Sequence, residues 1–310
     1  MRPPLSIDEF YEKRKKVLVI RETGGLGDIL MHRMMFEDFK KIMPDAQIVF
    51  ACPELYHEAL YDHPCIDELQ NSKKISHLDY VLHYNTTCAC TRHEMRMAPF
   101  ADKNRADIWA NHCGVELESH NMHITIEREK LKWAKEKLDR EVGVGRPRVC
   151  VAPISAMVTK NLLDWQLKAV VDHLRKRGCL PFAVHTKPMP YLSEELNVPV
   201  FCDISIREWM AVLSSTEYVI SVDTAAFHYA GGIGKPVVGI FAPFDGKVYG
   251  KHYDFVLVQK HRDNGDWDCG PCYAWTNCSK CKQVPKPCLT EISKDMLIEG
   301  IDNMLEKWPK

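Results

Sequence analysis

The sequence predicts an α/β protein made of two successive β–α series, and three observations carry that prediction. Short apolar runs alternate with longer amphipathic stretches, the pattern of parallel strands joined by helices. The chain has 310 residues, above the size at which a single core tends to divide. A stretch broken by glycine and proline, Val142–Pro147, falls between the two series. Two Rossmann-like domains facing across a cleft are therefore expected, one over residues 1–145 and one over 146–310.

The elements follow in order. Lys16–Arg21 (KVLVIR) reads as a strand, ETGGLGD as a turn, and Ile29–Ile42 as a helix that Pro44 stops. Ala46–Cys52 is the next strand, so the chain opens β–turn–α–β, which implies a right-handed parallel crossover. Leu78–Tyr84 is a further strand and Glu127–Arg140 a charged amphipathic helix, whereas the polar, His- and Cys-rich residues 85–123 show no readable period. The second series opens with a strand at Arg148–Pro153. A helix follows over Leu162–Arg177, with Gly178 placed to end it, and then a strand at Pro181–His185. Ser205–Glu208 is a capping box, S-x-x-E, starting a helix to Ser215. Tyr218–Val222 and Val237–Phe241 are strands flanking a short helix over DTAAFH, and the last helix covers Ser293–Trp308.

Hydrophobic residues make up 45% and charged residues 27% of the chain, ordinary values for a globular protein. With 41 basic and 42 acidic side chains, the net charge of −1 leaves no electrostatic footprint for nucleic acid or anionic membrane, though it does not exclude a nucleic-acid partner. No apolar stretch approaches the roughly 20 residues that span a bilayer. MRPPLSIDEFYEKRKK lacks the apolar centre of a signal peptide, so a cytoplasmic location is expected.

Two segments carry chemistry. SVDTAAFHYAGGIGKP (221–236) puts Asp223, Thr224 and His228 where a strand gives way to a helix. The first N–H groups of a helix lack intrahelical partners and favour an anion such as phosphate. An Asp-capped turn beside a core histidine explains the same residues equally well. The turn Glu22–Leu30 (ETGGLGDIL) is not a P-loop, because no Gly-Lys-Ser/Thr follows. As a dinucleotide fingerprint it fails at Leu30, which stands where the third glycine belongs, and this disfavours an NAD enzyme. Gly24, Gly25 and Gly27 let a ligand approach the backbone, and Asp28 is placed to act as a general base on an acceptor hydroxyl. The plainer reading is that Asp28 only favours the helix N-terminus.

Together the two motifs resemble the heptosyltransferase-like family of inverting glycosyltransferases, glycosyltransferase family 9, which has the GT-B fold. The family's strand, basic residue, G-x-x-G-D turn and helix ending near Phe-Pro-Asp correspond to VLVIR-ETGGLGDIL…KKIMPDAQIVF. Its D-[ST]-G-x-x-H-x-A…G-x-P-x-V-x-[IL]-F-x-P signature corresponds to DTAAFHYAGGIGKPVVGIFAP. The resemblance puts Asp28 on the catalytic base, and Asp223, Thr224, Ala225 and His228 on the donor-binding signature. It puts Lys160 on a lysine that contacts the donor diphosphate, and Ser155 on a position near the phosphates. It implies metal-independent transfer from a nucleotide-sugar, ADP-heptose-like donors included, to an acceptor hydroxyl on a glycan. A nucleic-acid base or protein acceptor, and a non-catalytic nucleotide-sugar-binding module, remain alternatives. Ala225 replaces the family glycine, the first turn is one residue longer, and residues 85–123 match nothing in the pattern.

Five of the thirteen cysteines crowd into residues 269–288. Cys269, Cys272, Cys278 and Cys281 form two C-x-x-C pairs suited to a structural zinc, with free thiols or a local disulfide as the other readings. Related family members carry a C-x-P-C…C…C-L pattern here, and the resemblance implies a structural role for Cys269, Cys272 and Cys288. Cys88, Cys90 and His93 are further candidate ligands, against a polar loop.

Overall fold

A computed structural model of the chain describes residues 15–76, 79–80, 82–97, 102–260 and 287–310. They divide into two compact units, Met1–Arg96 with Arg105–Thr125, and Met97–Asn104 with Ile126–Lys310.

The first unit holds a parallel four-stranded sheet of order β3-β2-β1-β4. Its strands are β1 (Lys16–Ile20), β2 (Gln47–Cys52), β3 (Glu68–Asn71) and β4 (Leu82–Asn85). Helix α1 (Leu26–Ile42) links β1 to β2 and buries Ile29, Leu30, Met34, Met35, Phe36 and Phe39. A helix apolar on so much of its girth belongs in a core, where each fully buried large side chain is worth about 1.5–3 kcal/mol. It begins three residues before the expected Ile29, because Gly25 serves as its N-cap. Residues that lacked a readable period contain α2 (Ala89–Met97) and α3 (Arg105–His112).

The second unit holds a parallel six-stranded sheet of order β10-β9-β8-β5-β6-β7. Its strands are β5 (Arg148–Ala152), β6 (Leu180–Val184), β7 (Val200–Phe201), β8 (Tyr218–Val222), β9 (Val237–Phe241) and β10 (Val256–Gln259). Around them lie α4 (Arg128–Glu141), α5 (Asp164–Lys176), α6 (Ile206–Ser214), α7 (Ala225–Gly232), α8 (Gly246–Tyr249), α9 (Pro287–Thr290) and α10 (Lys294–Lys307). Gly178 follows α5 at φ +77°, the left-handed conformation that ends a helix, and Ser205 caps α6 through the Glu208 N–H. Buried Gln166 of α5 donates to the carbonyls of Leu289 and Ile292 at 2.9 and 3.0 Å, which fastens α9 and the lead into α10. Helix α4 packs on α6 with Ala134 and Leu138 buried, and Arg207 of α6 pairs with Glu127 at 2.9 Å. The division between the units therefore falls ahead of α4, and the Val142–Pro147 stretch lies inside the second unit.

Each sheet has one point where the chain reverses its direction of growth, between β1 and β4 in the first unit and between β5 and β8 in the second. The crevice outside the strand ends at such a point is where open α/β sheets bind ligands. Asp28 follows β1, while Lys160 and Asp223 follow β5 and β8. Among the described residues, no helix is long and apolar enough to cross a membrane.

Candidate active site

In the first unit, Asp28 stands at the third residue of α1. Its Oδ2 accepts from the Gly25 N–H at 3.1 Å and from Arg21 Nη2 at 3.2 Å. Its Oδ1 faces Arg105 Nη1 at 3.8 Å. The carboxylate is 19% exposed. Burial works against its charge, but Arg105, Arg21 and the Gly25 N–H outweigh burial and hold its pKa below the usual carboxylate range. Asp28 therefore both favours the helix terminus and offers a charged group at the sheet edge.

Arg21 is held in turn. Its Nη1 donates to the carbonyls of Thr86 and Thr87 at 3.2 and 2.9 Å, and its guanidinium lies 5.0 Å from the Trp109 ring centre. Trp109 stacks on His32 at 4.0 Å. His32 sits 2.7 Å from the Asp28 carbonyl through Nδ1 and 3.0 Å from Thr86 Oγ1 through Nε2. Burial, with Arg21 nearby, lowers its pKa to about 3, and burial with Arg33 nearby lowers that of His63 to about 3. Both rings are neutral when folded, but the unfolded chain protonates them near their ordinary value of about 6.5. The stability they contribute is complete above that value and is lost as pH falls from there toward 3. The melting temperature of the full chain is expected to drop through this window, and His63→Gln should flatten the slope. A wild-type melting temperature that is constant from pH 7 to 5 would exclude this linkage.

The three turn glycines differ in their reasons. Gly24 has φ +132°, and a Cβ there would meet Asp28 Oδ2 at 2.6 Å and Arg21 Nη2 at 2.9 Å. Gly25, at φ −92°, would meet nothing within 4 Å, and Gly27 lies in the first turn of α1. Gly24→Ala is expected to destabilise the protein by about 1–3 kcal/mol in denaturant titration, whereas Gly25→Ala should stay within about 0.5 kcal/mol. Equal effects at the two positions would show that the close approach at Gly24 does not matter. Beside this turn lies a cleft of about 420 Å³ lined by Glu22, Asn85, Thr87, Cys88, Arg92 and His112, among others.

In the second unit the expected residues come together more closely. Lys160 Nζ donates to Asp223 Oδ2 at 2.9 Å and to the Asp223 carbonyl at 3.2 Å, and lies 4.9 Å from the Phe244 ring centre. At 16% exposed, it is not a solvated surface lysine. His228 Nε2 stands 3.4 Å from Asp223 Oδ1, and its Nδ1 is 3.2 Å from the Tyr253 hydroxyl. Burial opposes the Asp223 charge, yet Lys160 and His228 hold that carboxyl far below its ordinary range. Burial, and secondarily the Asp223 charge, pushes the Tyr253 phenol up. Thr224, rather than Asp223, caps α7: its Oγ1 accepts from the Ala226 N–H at 3.2 Å and sits 3.1 Å from Ser221 Oγ. Ala225 is the first residue of α7. The Ser155 hydroxyl is engaged locally, donating to the Met157 carbonyl at 2.9 Å.

Sequence reasoning missed Arg105, Glu94, His32 and Trp109 in the first unit, and Phe244 and Tyr253 in the second. Arg21 was visible as the basic residue ending β1, but nothing in the sequence linked it to Asp28. Among the described residues, Cys88, Cys90 and His93 form no cluster of metal ligands. Burial raises the Cys90 thiol far above its usual range, and Cys288 is buried. Cys269, Cys272, Cys278 and Cys281 lie outside the described residues.

Three solved structures share the fold. A glycosyl transferase family 9 protein from Veillonella parvula is 17% identical, with 94% of this chain and 97% of that one covered at a TM-score of 0.71. The ADP-heptose lps heptosyltransferase II of E. coli is 12% identical, with 94% and 99% covered at 0.69. The dodecameric iron-containing heptosyltransferase TibC, from enterotoxigenic E. coli, is 13% identical, with 96% and 77% covered at 0.68. No curated protein matches the sequence. The family model for glycosyltransferase family 9 (heptosyltransferase) matches residues 89–261, more than half of the chain. On that match and on two parallel-sheet units of GT-B type, the chain belongs to glycosyltransferase family 9 and is a glycosyltransferase.

Proposed function

We propose that the protein transfers a sugar, with inversion, from a nucleotide-sugar to an acceptor hydroxyl, and that a glycan carries that hydroxyl. The observation that bears most weight is the Lys160–Asp223–His228 network at the point where the second sheet reverses, beside the N-terminus of α7. A lysine and the first N–H groups of a helix are the groups that meet the charge gathering on a departing diphosphate. Thr159, next in sequence to Lys160, adds a buried hydroxyl without a hydrogen-bond partner. In this reading the second unit, with Ser155, Lys160, Asp223, Thr224, Ala225 and His228, takes the donor.

The first unit takes the acceptor. Asp28 removes the proton from the acceptor hydroxyl as that oxygen attacks the anomeric carbon, and the bond to the diphosphate breaks. Arg21 Nε is buried without a hydrogen-bond partner, a donor suited to an acceptor oxygen. The 420 Å³ cleft beside Glu22 and Arg92 supplies room for the rest of the acceptor. A structural zinc on Cys269, Cys272, Cys278 and Cys281 belongs to the same reading and takes no part in the transfer. Elemental analysis of the purified chain for zinc and iron tests it.

Because the E. coli structure is an ADP-heptose enzyme and TibC was solved with ADP-D-β-D-heptose, ADP-heptose heads the panel of donors to try. Thermal-shift measurement with nucleoside diphosphates and nucleotide-sugars is the direct test, since a bound ligand raises the melting temperature by mass action. At least one member should stabilise the wild type. Lys160→Ala should weaken that binding roughly tenfold or more, the size of a lost charge-assisted hydrogen bond. No shift with any member, together with no donor turnover, would overturn the proposal.

A further inference from the structure

The His228 ring stands between two partners, and the position of its proton decides what each can do. Nε2 faces Asp223 Oδ1 at 3.4 Å, a long contact, and Nδ1 lies 3.2 Å from the Tyr253 hydroxyl. The ring is buried, so water does not readily replace a lost partner. Burial opposes the charge on Asp223, but Lys160 and His228 keep it ionised, and a carboxylate only accepts. In a neutral imidazole one nitrogen donates and the other accepts. A bare Nε2 would set its lone pair against Oδ1, so the tautomer that fits Asp223 has Nε2–H and a bare Nδ1. Burial, then the Asp223 charge, pushes the Tyr253 phenol up, so it keeps its proton and can donate to that nitrogen. Packing brings Tyr253 there. Its N–H donates to the Gly250 carbonyl at 2.9 Å, just beyond α8, and its ring meets that of Phe227 edge-on at 5.6 Å. A Cβ on Gly231 of α7 would come within 2.5 Å of the Tyr253 ring, so glycine there leaves the phenol its room.

We propose that Tyr253 is a positioning residue of the donor site: its hydroxyl donates to His228 Nδ1 and fixes the ring as the Nε2–H tautomer aimed at Asp223. This rests on the reading of Lys160, Asp223 and His228 as the groups that take the donor. Protons then point one way along the network, from Tyr253 to His228, from His228 toward Oδ1, and from Lys160 to Oδ2. Each oxygen of Asp223 faces a proton, and its charge is screened from an arriving diphosphate. The contact to Asp223 is too long to hold the ring by itself, so the Tyr253 hydroxyl supplies the second point that orients it. A ring free to turn or to change tautomer leaves Oδ1 without its proton, and the bare negative charge opposes the donor's phosphates.

The test follows the His228 ring nitrogens by NMR in the full chain carrying nitrogen-labelled histidine, at about pH 8, above the ordinary histidine value. His228→Gln assigns the signals, and circular dichroism confirms that each variant folds. Wild type should show a proton on Nε2 and none on Nδ1. Tyr253→Phe should show a mixture of the two forms, and so should Gly231→Ala, which displaces the phenol. ADP, GDP and UDP are titrated by calorimetry, and the one that binds wild type best is carried through the variants. Tyr253→Phe should weaken its binding roughly three- to tenfold, the range of one lost neutral hydrogen bond. In Tyr253→Phe/His228→Gln the affinity should equal that of His228→Gln alone, because Tyr253 acts through the ring; a role in packing only would make the two losses add. A proton on Nδ1 in wild type, an unchanged tautomer in Tyr253→Phe, or additive losses overturns the inference. Failure of wild type to bind any of the three is a failure of the donor reading instead, and the nitrogen spectra still decide whether Tyr253 sets the tautomer.

Discussion

Asp28→Asn is expected to lower transfer by roughly 100- to 10,000-fold, the range a positioned general base contributes. The substitution is nearly isosteric and keeps an oxygen for the Gly25 N–H, so the start of α1 should survive. Binding of a nucleoside diphosphate, measured by calorimetry or thermal shift, should be unchanged, because Lys160 and Asp223 belong to the second unit. The loss should appear in turnover and not in donor affinity, the signature of an interaction used in the transition state. Because the arginines hold the Asp28 pKa below the usual carboxylate range, the acid limb of the wild-type rate profile should also lie below that range. Undiminished transfer by Asp28→Asn would remove the base assignment outright.

The second large effect is on stability. Arg33, on the buried face of α1, is 0% exposed and is held by both oxygens of Asp62 at 3.1 Å. It also donates to the carbonyls of Ala59 and Met122 at 2.6 Å and of His123 at 2.5 Å. One side chain thus joins the central helix to two separate loop segments. Arg33→Ala removes the arginine from the mostly buried Asp62 carboxylate and the donors from three carbonyls, and breaking such a buried pair costs about 3–5 kcal/mol. Arg33→Lys should recover only part of this, because an ammonium cannot reproduce the planar fork. Urea titration, with the fluorescence of buried Trp109 reporting on the first unit, measures both. A loss under about 1 kcal/mol for Arg33→Ala would mean that the network is replaceable.

What could be read from the sequence follows from physical cause. The opening β–turn–α–β was legible because β1 and β2 are near-continuous apolar runs and proline ends the helix between them. Helix α6 was legible from its cap, since Ser205 and Glu208 satisfy each other's orphan donors. Lys160, Asp223 and His228 were legible only as members of a motif; that they form one hydrogen-bonded cluster is a tertiary fact. Helices α2 and α3 were not legible. On α2 the buried positions are Ala89, Cys90 and Glu94, and one of the three is a charge, so no apolar stripe marks the helix. The same feature hid Glu94 and Arg105, because a buried ion pair looks in sequence like two surface residues. Arg33 was concealed differently, by sitting within the apolar run of α1 that it serves to anchor.

The order in which the chain visits its two units sets how the protein can be taken apart. Residues 97–104 belong to the second unit but are flanked by stretches of the first, so the polypeptide changes unit three times. One cleavage therefore cannot release either unit intact. A fragment ending at residue 125 would carry Asn104 without the Val248 and Tyr249 carbonyls to which it donates at 3.0 and 2.8 Å. A fragment beginning at residue 146 would lack α4 and leave α6 without the helix that packs on it. Dissection, circular permutation and limited proteolysis of this enzyme have to respect three junctions, and only a two-piece reconstitution that keeps 97–104 with its own partners is expected to restore the fold.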